Sequence, residues 1–268
     1  MTARDWRADR AAVFDRDAST CRHCGTVGGD DEPATLRVVP VGDVPLEGDV
    51  HESGLVTVCG ECFTTLDAEP SAEPIDSDEL FQLVRETTRL QGTTISEVAA
   101  FASLATSFPE TLESALEEDS NTDVEESVAE YRRTRRDLLL AIDVVDARLE
   151  RLATLEDGAD ASDVRSALEE FSETAAALQS TLREVVTLCE TVATGLERCH
   201  GCFDPLEGET CETCGLAARE TETWRSDDGP LAFDRLFAAI NDGLQEATET
   251  TETLTDRTTT LAERLTAG

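Results

Sequence analysis

The chain has 268 residues and carries 58 acidic residues against 22 arginines and no lysine, which gives a formal net charge of −36. Its 40% hydrophobic content exceeds that of disordered chains, and its length is typical of about two domains. The longest apolar stretches, Val98–Leu104 and Leu138–Ala141, are far shorter than the roughly 20 residues of a membrane span, and the N-terminus lacks an apolar signal core, so we expect a cytoplasmic protein with no membrane partner.

Residues 1–66 are expected to form a first unit. A short helix is predicted over Arg4–Asp17, and β segments over Thr35–Val41 and Leu55–Val58 on either side of a loop. A second helix is predicted to open at Cys62. The polar, proline-containing stretch 67–77 follows as a linker.

The rest of the chain reads as helical. Asp76 with Glu79, and Thr94 with Glu97, resemble capping boxes and predict two short helices that end by Ser107. Pro109 is expected to open a third short helix that ends near Glu118.

Three long heptad runs come next, from Val124 to Leu152, from Val164 to Leu196 and from Phe233 to Leu265. Apolar positions repeated every 3.5 residues over four heptads favour coiled-coil packing. The turn residues Asp157–Asp160 indicate that the first two runs form a hairpin. Threonine and alanine at several seam positions weaken the packing, so an oligomeric bundle is one expectation.

Eight of the nine cysteines form four Cys-x-x-Cys pairs: Cys21/Cys24, Cys59/Cys62, Cys199/Cys202 and Cys211/Cys214. Two such knuckles bring four thiolates to one tetrahedral zinc ion. Proximity in sequence pairs the first two knuckles and the last two, which predicts two structural zinc sites. Redox-active dithiols are the alternative, but they need a thioredoxin-like βαβ context that the sequence lacks. The ninth cysteine, Cys189, falls in the second heptad seam and is expected to be a small buried side chain.

The first unit resembles HNH endonuclease domains in two segments. The first runs from Arg4-Asp5-Trp6-Arg7 through Val13-Phe14-x-Arg16-Asp17 to Cys21-x-x-Cys24-Gly25, and the second is Leu55-Val56-Thr57-Val58-Cys59-x-x-Cys62. The resemblance covers about a quarter of the chain. It implies a ββα treble-clef fold pinned by zinc, and in active members a His, an Asn and a final His that serve a divalent ion and an attacking water.

This sequence departs from the family at those three positions. The first strand reads Leu36-Arg37-Val38-Val39-Pro40-Val41, Gly54 stands in place of the Asn, and Phe63 stands in place of the final His. None of these side chains takes a proton or binds a hard cation. We therefore expect a scaffold without catalysis.

The three histidines are the remaining catalytic candidates. His51 lies in the loop before Gly54 and is a weak candidate, for which a solvated loop position is the simpler interpretation. His23 and His200 lie inside knuckles and are expected to be exposed turn residues.

The arginines indicate where a ligand might be bound, whereas the net charge indicates habitat. Acid excess without lysine is typical of proteins in molar salt, where the Debye length falls to about 3 Å and distant repulsion is screened. Arg4, Arg7, Arg10 and Arg16 form a candidate nucleic-acid-binding face on the first helix, with intrahelical ion pairs as the alternative. The cluster Arg132, Arg133, Arg135 and Arg136 is flanked by acidic residues, so i,i+4 ion pairs are the favoured interpretation.

The sequence therefore predicts a mainly α protein with a small N-terminal ββα treble-clef zinc domain and coiled-coil-like helices interrupted by a second, four-cysteine zinc ribbon. The expected order is 1–66 zinc domain, 67–77 linker, 78–118 short helices, 122–198 helical hairpin, 199–215 zinc ribbon and 230–266 heptad helix. Three functions remain open: a non-catalytic protein that binds nucleic acid or protein, an active HNH endonuclease that uses His51, and a structural coiled-coil scaffold.

Overall fold

The computed structural model describes residues 6–28, 36–42, 44, 50–67, 75–118, 122–156, 162–226, 229 and 231–267. Over these ranges the chain forms α1 (Trp6–Arg16), β1 (Leu36–Pro40), β2 (Leu55–Cys59), α2 (Gly60–Asp67), α3 (Ser77–Glu118), α4 (Thr122–Glu156), α5 (Ser162–Gly195) and α6 (Phe233–Ala267). The protein is thus mostly helical, with one small antiparallel sheet. None of the described helices combines the length and the apolar character that crossing a membrane requires.

Helices α3 to α6 form an up-down-up-down four-helix bundle. Cross-helix contacts show that successive helices run antiparallel, because the partner's residue number falls as the first helix's number rises. Between α4 and α5 these contacts are Asp146 with Gln179 and Arg135 with Glu190. Between α3 and α4 they are Glu86 with Arg148 and Phe101 with Tyr131. Short connections at 119–121 and 157–161 are typical of this topology.

The three predicted heptad seams face one another inside this single chain. Leu138 and Ile142 of α4, Leu178 of α5, and Ile240 and Leu254 of α6 are all at most 1% exposed. Cys189 is fully buried in the same core, as predicted. The repeats therefore find their partners within one molecule, and a second copy is not needed to cover these positions.

The prediction of three short helices over 78–118 is wrong, because α3 is continuous over 42 residues. Asp76 does cap its start by accepting a 2.8 Å hydrogen bond from the backbone N–H of Glu79. Thr94, by contrast, lies inside the helix and donates to the carbonyl of Leu90. Pro109 removes one backbone hydrogen bond, but the apolar face around it, with Phe101 and Phe108 both buried, packs on the bundle and keeps the helix intact.

The N-terminal unit packs on the outer face of α4. β1 and β2 pair antiparallel with Val39 opposite Val56, close to the bounds expected from the sequence, and α2 follows β2 directly. Their apolar side chains form a small second core that includes Leu140 and Val144 of α4. Most of the loop expected between the strands lies outside the described residues.

The C-terminal four-cysteine unit lies where α5 turns back into α6, as predicted for a metal knuckle that reverses the chain. Phe203 of this unit packs between Phe108 and Tyr131, with ring centroids 4.6 and 5.0 Å away. The Tyr131 hydroxyl donates to the carbonyl oxygen of His200 over 3.1 Å. Both four-cysteine units are thus attached to one helix, α4.

Candidate metal centres and the cleft between them

The first four-cysteine cluster joins a knuckle to a helix N-terminus. Cys21 and Cys24 come from the knuckle after α1, whereas Cys59 ends β2 and Cys62 lies in the first turn of α2. All four sulfur atoms lie within 4.8 Å of one another, and Cys24 Sγ is 3.6 Å from Cys59 Sγ. Cys24 is the exposed member.

The second cluster is built from two knuckles within 16 residues, Cys199 to Cys214. Cys199 Sγ lies 3.4 Å from Cys214 Sγ, and Cys202 Sγ lies 3.5 Å from Cys211 Sγ. The pairing of knuckles predicted from sequence proximity is therefore the pairing observed in both clusters.

Three of the four knuckles share one backbone turn. In each, the first cysteine's carbonyl accepts a hydrogen bond of 2.8 to 2.9 Å from the residue after the second cysteine, namely Gly25, Phe203 and Gly215. These three residues have positive φ angles of 76°, 64° and 77°. Glycine takes this conformation without strain, whereas Phe203 pays a steric penalty that its aromatic packing offsets.

The sulfur spacings match a tetrahedral metal. A zinc ion with four Zn–S bonds of about 2.3 Å places its ligands about 3.8 Å apart, close to the spacings found here. A disulfide would need about 2.05 Å. Four soft thiolates and no described carboxylate or imidazole in either group favour zinc over hard cations such as magnesium.

Local hydrogen bonds support a thiolate in the exposed knuckle. Burial raises the pKa of Cys24, but the Thr26 hydroxyl, 3.1 Å from its sulfur, outweighs burial and the pKa falls to about 6. Zinc binds the thiolate form, so this hydrogen bond prepares the ligand.

The histidines within the knuckles are not exposed turn residues. His200 is only 3% exposed, and the prediction for it is wrong; burial lowers its pKa. His23 is half-buried, and burial likewise lowers its pKa. Neither belongs to a sulfur cluster among the described residues. The tertiary packing of the knuckles against the bundle, which the local sequence does not reveal, covers both rings.

The three positions that correspond to HNH catalytic residues lie close together but carry no catalytic group. Pro40 pairs with Leu55, and Val41 donates to the carbonyl of Gly54, so the end of β1 and the start of β2 meet. Phe63 lies in α2 with the Arg37 guanidinium 4.2 Å above its ring. His51 caps the short turn Glu52–Gly54, where its Nδ1 accepts a hydrogen bond from the backbone N–H of Ser53.

The arginines of α1 have different roles. Arg4 lies outside the described residues, and the side chain of Arg7 is not described. Arg10 is exposed and stacks 5.5 Å from the ring of Phe14. Arg16 instead holds the hairpin, because it pairs with Asp17 and donates 2.7 Å hydrogen bonds to the carbonyls of Glu52 and Leu55.

The arginine cluster on α4 is not neutralised along its own helix, so the prediction of i,i+4 ion pairs is wrong. Arg135 pairs with Glu190 of α5 at 2.7 Å, and Arg132 pairs with Asp204 of the second four-cysteine unit at 3.2 Å. Glu190 is fully buried and also accepts from Arg219. These partners are more than 50 residues away in sequence, so helix spacing does not reveal them.

A cleft of about 690 Å³ separates the two four-cysteine units. The first unit and its hairpin line one wall, α4 lines the floor, and Cys202 and Asp204 of the second unit line the opposite wall. Five arginines face this cleft: Arg16, Arg22, Arg132, Arg133 and Arg136. His51 lies at its edge. Sequence inspection found the α4 arginines but not that they meet Arg16 and Arg22, because the meeting depends on how α1 and its knuckle dock on α4.

Comparisons with protein-family models, with curated proteins and with solved structures find no match to the chain. The functional interpretation therefore rests on the geometry of these sites.

Proposed function

We propose that the protein is a zinc-stabilised, non-catalytic binding protein that uses an HNH-like domain and a four-cysteine ribbon to bind nucleic acid. The two clusters each hold one structural zinc ion, as their four-thiolate composition and sulfur spacing support. The order β1, β2, α2, with a cysteine knuckle before it, supports a treble-clef-like first unit.

The absence of catalytic groups supports a binding role rather than hydrolysis. Phosphodiester cleavage needs a base and a metal clamp at the scissile phosphate. Pro40, Gly54 and Phe63 occupy the positions where the family carries them, and His51 is already engaged in capping a turn.

The observation that carries the nucleic-acid proposal is the cleft itself. Five of the 22 arginines of a strongly acidic chain line this one cavity between the zinc units. Guanidinium groups donate to phosphate oxygens in a fork geometry that lysine cannot reproduce, and phosphate contacts give binding that is independent of base sequence. The coiled-coil-like helices serve as the rigid frame that holds the two walls apart.

The test is an incubation of the protein with supercoiled plasmid in KCl, with Mg²⁺ or Mn²⁺, read on a native gel. We expect retarded but intact plasmid, and retardation that weakens as KCl is raised because phosphate contacts release counterions. Intact plasmid that migrates unshifted at every KCl concentration would exclude nucleic-acid binding and favour a protein partner or a purely structural scaffold.

The same gel tests the endonuclease alternative. Nicked or linear product that disappears in the His51→Ala variant would show that the domain cleaves DNA through His51 and would contradict the non-catalytic proposal. Product that persists in that variant would point to contamination.

A further inference from the structure

The cleft contains a buried arginine that no protein group neutralises. Arg136 is only 8% exposed and lines the cleft, yet it makes no ion pair or hydrogen bond through its side chain among the residues that the structure describes. Arginine is almost never this buried without a partner, because the desolvated charge is unfavourable. An unpaired buried cation at the wall of an open cleft indicates an anionic ligand.

The neighbouring charges do not supply that anion. The nearest charged groups are Arg16, Asp17, Arg22 and Asp137. Both aspartates are already committed, since Asp17 pairs with Arg16 and Asp137 accepts a 2.9 Å hydrogen bond from Arg22. Three arginines therefore face two carboxylates, which leaves one surplus positive charge. Burial, followed by the repulsion from Arg16, lowers the pKa of Arg136 to about 10, so the side chain is still charged at neutral pH.

Arg133 adds a second donor at the same cleft. It is exposed on α4, one turn before Arg136, and forms no ion pair among the described residues. The cleft also carries exposed carboxylates at its rim, at Glu52, Glu126 and Glu130. These repel a long anionic surface laid across the opening, but they leave the floor around Arg136 accessible to a single anionic group.

We infer that the cleft between the two four-cysteine units is a phosphate-binding site in which Arg136 is the buried anchor and Arg133 the exposed second donor. The inference rests on the proposed function in one respect, since it assigns the phosphate contact of a bound strand to these residues. A phosphate group offers several acceptor oxygens to two guanidinium forks, which a single carboxylate cannot match. A volume of about 690 Å³ also accommodates a nucleotide-sized ligand. The burial of Arg136 keeps its attraction from being fully screened in concentrated salt.

The experiment compares Arg136→Gln with Arg85→Gln, which removes one exposed arginine of α3 away from the cleft and causes the same change in net charge. Binding of inorganic phosphate is measured by calorimetry and by the shift of the thermal midpoint, at constant ionic strength set with KCl. A labelled DNA duplex and a polyglutamate peptide serve as the strand and carboxylate probes. Arg133→Gln provides a second variant whose side chain is exposed.

We expect phosphate to raise the midpoint of the parent and of Arg85→Gln, and affinity to fall about tenfold or more in Arg136→Gln. Without phosphate, Arg136→Gln should be at least as stable as the parent, because it removes an unpaired buried charge. Arg133→Gln should weaken phosphate binding without lowering the midpoint. A duplex affinity that falls with the phosphate affinity identifies the strand as the source of the phosphate.

Three results would overturn the site. These are equal phosphate affinity in Arg136→Gln and Arg85→Gln, a lower midpoint for Arg136→Gln without ligand, and Arg136-dependent binding of polyglutamate in place of phosphate. Duplex binding that persists in the first case leaves the proposed function standing. Arg136-dependent binding of phosphate with no duplex binding supports the site for free phosphate compounds and overturns the nucleic-acid function.

Discussion

Two glutamates beside α4 illustrate how differently a carboxyl group behaves with and without a partner. Glu190 is fully buried but lies between Arg135 and Arg219, and although burial raises its pKa, the attraction of Arg135 outweighs burial and lowers it. Glu97 of α3 has no such cation. Its Oε2 atom is buried without a hydrogen-bond partner among the described residues, and burial together with the nearby Asp137 raises its pKa to about 7.

We expect Glu97→Gln to raise the free energy of unfolding near neutral pH and above. The folded-state pKa lies above the ordinary value of 4.5, so the folded protein binds this proton more tightly than the unfolded chain. The carboxyl group is therefore harmless at about pH 4.5 and increasingly destabilising as pH rises through 7. The gain at about pH 8 should be about 1 to 2 kcal/mol, which is less than the full shift implies because water reaches part of the group.

Denaturant unfolding of parent and Glu97→Gln at about pH 5 and about pH 8 measures this difference. A stability difference that does not shrink toward the lower pH would show that the ionised Glu97 carboxylate is not the cause.

The Glu190→Gln variant should have the opposite sign. Removing this negative charge leaves the Arg135 side chain, which is 5% exposed, without a counter-charge in the core. We expect the free energy of unfolding to fall by about 3 to 5 kcal/mol. Glu184→Gln, at an exposed position of the same helix, is the matched control and should change stability by less than about 0.5 kcal/mol. Equal effects of the two variants would mean that the buried ion pair contributes nothing specific.

At the scale of the helices, α5 and α6 approach most closely where a glycine lies in the interface. A Cβ atom built on Gly243 of α6 would lie 2.6 Å from the Cγ2 atom of Val185 on α5. Val185 is fully buried and stiff at χ1, so it has little freedom to move away. Gly92 of α3 differs, because a Cβ atom there would meet no atom within 4 Å.

The two glycines therefore predict opposite effects of the same substitution. Gly243→Ala should lower the free energy of unfolding by about 1 to 3 kcal/mol through overpacking. Gly92→Ala should raise it by up to about 1 kcal/mol, since alanine is the better helix former. Thermal unfolding of both variants tests the pair, and destabilisation by Gly92→Ala would contradict the assignment of residue 92 to an open helix surface.

At the scale of the whole molecule, α4 connects all the parts. One face of it fills the bundle core, its outer face at Leu140 and Val144 carries the first four-cysteine unit, and Tyr131 and Arg132 hold the second. The bundle has its own large core, whereas the first unit has a core of a few side chains that the metal supplements.

Removing one zinc ligand should therefore unfold one unit and spare the rest. Cys24→Ser is expected to lower the zinc content from about two ions per chain to about one, because metal binding supplies the folding free energy of such small units. The helical circular dichroism of the bundle should persist. Cys189→Ala, which removes a buried cysteine outside both clusters, should keep both ions.

Zinc analysis of reduced, tag-free protein, with circular dichroism, measures both effects. Parent protein with far less than two zinc ions would contradict the metal assignment, and a Cys24→Ser variant that retains two would contradict this ligand set.

Sequence patterns determined the features that depend on short-range geometry. The spacing of Cys21 and Cys24 predicted a knuckle because two intervening residues suffice to bring both sulfurs to one metal, and Gly25 has the positive φ angle that the turn requires. Heptad spacing predicted which side chains of α4, α5 and α6 are buried, since a helix places residues three and four apart on one face.

Tertiary structure alone decided the features that depend on distant partners. Helix α3 continues through Pro109 because its apolar face finds the bundle, which local capping signals do not anticipate. The α4 arginines pair with Glu190 and Asp204, or with no described residue in the case of Arg136, because docking of the four-cysteine units sets the distances between charges. Coulomb interactions depend on separation in space rather than in sequence, so the cleft and its unpaired charge emerge only from the packed molecule.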